Sequence, residues 1–77
     1  SATARAVAQR TGVAPVLVDD EAIAAARRRL WDRLRIVAEP GGACALAALT
    51  SGAWRPTCGE RVAVIVCGAN TDPADLA

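Results

Sequence analysis

The sequence predicts an α/β fold, two strands with three to four helices, forming a single partial domain over residues 1–77. Three observations predict it. RVAVIVC at 61–67 is apolar without a break from 62 to 67, the pattern of a strand buried on both faces. Residues 20–35 place Ile23, Leu30, Trp31 and Leu34 at offsets 0, 7, 8 and 11, one face of a helix. Only VAPVLV at 13–18 reads as another strand. A fully buried central strand needs neighbours on both edges, so the expected sheet is incomplete.

In chain order, ARAVAQRT at 4–11 reads as a short helix closed by Gly12. Pro15 sits early in the first strand and marks it as an edge or entrance. Asp19 or Asp20 can cap the long helix, and acids in a first turn suit the helix dipole. That helix should run over about 20–35 and end near Val37 or Ala38, because Pro40 disfavours helix in the residue before it. Pro40 then suits the first turn of a new helix. In GGACALAAL the small residues Gly41, Gly42, Ala43, Ala45, Ala47 and Ala48 permit very close packing on a neighbour. TSGAWRPTCGE at 50–60 is a loop rich in turn formers. After the second strand, CGAN makes a turn, and TDPADLA starts a last helix with Pro73 near its first position. No internal repeat is present.

Composition sets limits on function. The chain is 53% hydrophobic with a net charge of +1, which suits a globular class and gives no electrostatic case for nucleic acid or an anionic membrane. Much of the apolar content is alanine, and the aromatics are Trp31 and Trp54 alone, so the expected core is thin. The cluster Arg27, Arg28, Arg29, Arg33 and Arg35 reads as a solvated helix face rather than a phosphate site. No apolar stretch reaches a membrane span. Histidine, lysine and methionine are all absent. Without methionine the chain is expected to be a processed product, an engineered chain or a piece of something longer. Cys44, Cys58 and Cys67 form no CxxC pair, and with no histidine no metal site is expected. A disulfide framework is not expected, and a reducing cytoplasm suits the three thiols.

Three motifs together resemble the C-terminal end of the catalytic domain of serine/threonine dehydratases, threonine ammonia-lyases among the fold-type II pyridoxal phosphate (PLP) enzymes. They are Asp20-Glu21-Ala22-Ile23, Glu39-Pro40-Gly41-Gly42-Ala43 and Cys67-Gly68-Ala69-Asn70-Thr71-Asp72. The match covers about residues 13–77. The resemblance implies a fragment of the tryptophan-synthase-β-like fold, with PLP as cofactor and a small amino acid as substrate. It implies that Cys67 ends a central strand and hydrogen-bonds the pyridine nitrogen of PLP. A thiol there, unlike a carboxylate, does not force that nitrogen to protonate. It also implies that Gly68 lets the backbone lie close to the ring and that Glu39 lies near the cofactor. Asn70 is counted with them at the cofactor site, as a turn residue that supports it. Two positions depart from the family pattern. Ala69 stands where a second glycine is usual, which costs about 1 kcal/mol if that position needs φ > 0. Gly41 stands where an alanine is usual and should loosen the helix start.

The family's Schiff-base lysine, its cofactor-contacting asparagine and its phosphate loop lie upstream, and this chain has no lysine. No catalytic residue is therefore expected within it, and the chain alone should be inactive. The reading is the C-terminal segment of a PLP-dependent dehydratase that deaminates L-serine or L-threonine to a 2-oxo acid and ammonia. Its partners would be the remainder of the catalytic domain or another copy of the chain, in a homo-oligomer. The alternative is a free-standing interaction or scaffold module, dimerising through the alanine-rich helix. A regulatory amino-acid-binding domain fits poorly, since it needs more strands.

Overall fold

A computed structural model of the chain describes residues 1–76. It shows three α-helices, α1 (Ala2–Thr11), α2 (Asp20–Leu34) and α3 (Cys44–Thr50), with 3-10 turns at Pro40–Ala43 and Pro73–Leu76. Among the described residues there is no strand. The expectation of two strands is therefore corrected: 13–18 and 61–67 carry no ladder of backbone hydrogen bonds.

The reason is a lack of partners. A strand is defined by bonds to a neighbouring strand. From 61–67, the amide of Cys67 bonds to the carbonyl of Gly42, which lies in the 3-10 turn. Nor is the second segment buried on both faces. Val62 is 41% exposed and Ile65 80%, and in the first segment Leu17 is 92% exposed. Val16, Val62 and Val64 instead line an open apolar hollow with Ala45, Leu49 and Trp54.

The helices follow their local chemistry. The Ser1 side chain caps α1, and Gly12, at φ 74°, closes it. Asp19 caps α2, its carboxylate accepting from the Ala22 amide at 2.7 Å. Asp20 and Glu21 occupy the first turn. α2 ends earlier than Pro40 alone suggests. Arg35 adopts φ 56°, its amide reaches back to Leu30 and Trp31, and its guanidinium lies over the Trp31 ring, 5.2 Å from the centroid. The early stop leaves 36–39 free to cross over and bring Ala38 into the core. Pro40 then stands at the start of a 3-10 turn that leads directly into α3. Asp72 caps the final turn, its carboxylate accepting from the Ala74 amide. The expected last helix is a 3-10 turn, and its final residue, Ala77, lies outside the described residues.

α2 packs on α3 and on the 3-10 turn before it. The core is Ala26, Leu30, Ala38, Ala43 and Ala47, with Val18, Ala22, Ile23 and Leu46 against it. It is as thin as the composition predicts: four alanines bury one methyl each, and Leu30 supplies the largest apolar side chain. The chain is an open slab of 39 × 34 × 19 Å. Its surface is 5968 Å², against roughly 4,400 Å² for a compact monomer of this mass. Among the described residues no helix is long and apolar enough to cross a membrane.

Because one leucine anchors this core, Leu30→Ala should lower stability by about 2–4 kcal/mol. Leu34→Ala, at a position 63% exposed, should change it by less than about 1 kcal/mol. Urea unfolding of both variants measures the difference.

Candidate functional site

The 3-10 turn and the end of the second extended segment meet backbone to backbone. The Glu39 amide donates to the Gly68 carbonyl at 2.7 Å, and the Cys67 amide donates to the Gly42 carbonyl at 3.4 Å. Two glycines make this approach possible. A Cβ at Gly42 would run into the carbonyl of Cys67. A Cβ at Gly68 would run into the Glu39 side chain, and Gly68 also has φ 73°, a conformation that L side chains rarely adopt. Gly42 is buried and Gly68 half-buried.

Of the four sequence-predicted residues, Glu39, Cys67 and Gly68 are brought together at this seam. The Glu39 side chain lies over Gly68 and its carboxylate is exposed. Cys67 is exposed and a free thiol. Asn70 lies two residues beyond Gly68, is exposed, and is joined to the other three by no hydrogen bond among the described residues. Ala69 has no positive φ, so the strain that an alanine would cost there does not arise. Of the remaining cysteines, Cys44 closes the 3-10 turn and donates to the Pro40 carbonyl at 3.5 Å, and Cys58 is exposed in the loop.

Two features of the seam were not read from the sequence. The small-residue run predicts close packing, but not that Gly42 meets Cys67. Arg27 was assigned to a solvated face. It is instead half-buried, with its Nε donating to the Ala38 carbonyl at 2.6 Å. Its helix position gives the clue: it lies at offset 4 from Ile23, on the same stripe as Leu30 and Leu34, whereas Arg28 and Arg29 lie off it and are exposed.

Over 62 residues the chain is 45% identical to phenylserine dehydratase of Ralstonia pickettii, covering 80% of this chain and 19% of that protein. Over 58 residues it is 45% identical to the biosynthetic L-threonine dehydratase IlvA of Escherichia coli (strain K12), covering 74% of this chain and 11% of that protein. The chain thus spans about a fifth or less of the length of the curated relatives it matches. No family model matches the chain, and no solved structure matches it. The likeness to a segment of a serine/threonine dehydratase, which the three motifs imply, is borne out.

The three glycines of the seam should respond differently to alanine. Gly42→Ala forces backbone against backbone and should cost about 1–3 kcal/mol or more. Gly68→Ala strains φ by about 1 kcal/mol, while the flexible Glu39 side chain can give way. Gly41 has only Glu39 Oε1 nearby, at 4.0 Å, so Gly41→Ala should be neutral or stabilising by about 0.5 kcal/mol. Denaturant midpoints of the three variants give the order.

Proposed function

With its likeness to serine/threonine dehydratases as the premise, we propose that the chain is the C-terminal portion of a PLP-dependent dehydratase. That enzyme converts a β-hydroxy-α-amino acid, L-serine or L-threonine, to a 2-oxo acid and ammonia. The observation that carries the proposal is the meeting of Glu39-Pro40-Gly41-Gly42 with Cys67-Gly68 in one seam. The two motifs that the resemblance assigns to the cofactor site are 23 or more residues apart in sequence and adjacent in space. The names of both relatives carry a β-hydroxy amino acid, phenylserine in one and threonine in the other.

The residues fit a pyridine ring. The Cys67 thiol is exposed and, among the described residues, has no hydrogen-bond partner of its own. It is thus free to donate to a ring nitrogen or accept from one. Gly68 itself carries no side chain, and the Glu39 side chain lies over it. When bound, PLP supplies the electron sink that lets the β-hydroxyl leave. The amine that holds PLP comes from the remainder of the catalytic domain, since this chain has no lysine. That remainder, in a homo-oligomer, is also the partner proposed here, and a reducing cytoplasm suits three free thiols. The large surface of the slab and its exposed Leu17 and Ile65 support the reading of a piece over that of a free-standing module.

The whole protein that carries this chain should bind PLP and release ammonia from L-serine or L-threonine. In it, Cys67→Ala removes one hydrogen bond to the ring, worth about 1–3 kcal/mol. Turnover should fall roughly ten- to a hundredfold, with a shifted cofactor absorbance, while Cys67→Ser retains most of both. An unchanged spectrum and rate in Cys67→Ala would remove Cys67 from the site, and a protein that takes up no PLP would end the dehydratase reading.

A further inference from the structure

The Ala38 carbonyl and the Glu39 amide are the two ends of a single peptide unit, and both ends are held by short bonds. Arg27 Nε donates to the oxygen at 2.6 Å. The N–H donates to the Gly68 carbonyl at 2.7 Å. A cation bonded to a peptide oxygen draws electron density toward it and makes the N–H of the same unit a stronger donor. We propose that Arg27 is a positioning residue, which fixes the Cys67–Gly68 turn through the Ala38–Glu39 peptide.

Three observations bear on this. Ala38 is 1% exposed, so without Arg27 its carbonyl would be left with no solvent to replace the lost donor. The arginine is placed at a cost: its Nη2 is shut away from solvent with no hydrogen-bond partner among the described residues. An apolar side chain at position 27 would pack beside the core alanines without that cost. What the guanidinium adds is one donor in a rigid planar group, aimed at one oxygen. Finally, no hydrogen bond of Arg27 goes to Cys67 or Gly68 themselves. Its influence on the turn passes through the peptide, and it is not a catalytic residue.

Any consequence for a cofactor rests on the dehydratase reading, whereas the clamp itself does not. The test uses the whole protein that carries this chain, with Arg27→Met, Arg27→Lys and, as a control at an exposed position, Arg29→Met. Amide hydrogen exchange at Glu39, followed by mass spectrometry, reads the bond to Gly68 directly. Exchange should quicken about tenfold in Arg27→Met, the effect of losing one hydrogen bond's worth of protection. It should quicken less in Arg27→Lys, which keeps the charge and loses the fork, and not at all in Arg29→Met. Should Arg27→Met not fold, Arg27→Lys decides the matter alone. With PLP added, the cofactor absorbance of Arg27→Met should shift in the same sense as that of Cys67→Ala. Glu39 exchange equal to wild type in the folded Arg27 variants overturns the proposal, as does an equal quickening in Arg29→Met. If the wild-type protein holds no PLP, the dehydratase reading fails, and the exchange rates still decide for or against the clamp.

Discussion

The contact on which the rest of this structure depends is the approach of one backbone to another without a Cβ between them. Gly42 meets the Cys67 carbonyl, and Gly68 lies under the Glu39 side chain. Between 39–42 and 67–68 run the two hydrogen bonds that tie the second extended segment to the helical pair. Elsewhere that segment lies exposed, with Ile65 at 80%. The seam therefore joins the part of the chain that has a core to the part that does not. A side chain at Gly42 would push the two backbones apart, whereas one at Gly68 would meet the Glu39 side chain, which can give way.

The core behind the seam is built for the same closeness. Ala43 and Ala47 are fully buried, and Ala26 faces them from α2. Alanine lets helix axes come near but buries little area, so such a core is short on hydrophobic free energy and long on precision. Leu30 offsets part of that shortage. The early left-handed stop at Arg35 makes the arrangement possible, because a helix running on to Ala38 would carry that residue past the 3-10 turn instead of into it.

Most of the helical organisation is legible in the sequence because it is local. Asp19, Gly12 and Pro40 act on backbone groups within a turn of themselves, and each does in space what its type does in general. The strands were misread because their signal is not local. An unbroken apolar run reports that a segment suits burial, and it says nothing of whether neighbours exist to bury it. In this chain they do not, so 61–67 stays extended and without a ladder. The seam lies between these cases. The three motifs name Glu39, Cys67 and Gly68, which lie together at the seam, and the small-residue run points to close packing around Gly42 without naming what it meets. Asn70 belongs to the same motif, and no hydrogen bond among the described residues joins it to the other three. Arg27 is hidden in a run of three arginines when charge is read as a block, and only its register with Ile23 and Leu30 marks it as the member that faces inward.

That last ambiguity bears on how the site is held. A thiol at the end of a loosely attached segment can meet a ligand with defined geometry only if the turn behind it is stiff. The second extended segment supplies little stiffness, being exposed along most of its length. The stiffness has to come from the helical side, across the seam. The path available is short: α2 through Arg27 to the Ala38 carbonyl, then through one peptide unit to Gly68, one residue from the Cys67 thiol. The second bond, from Cys67 to Gly42, leads into the start of α3 by an independent route. Two attachments from two helices fix a turn in both position and direction, where one would leave it free to swivel.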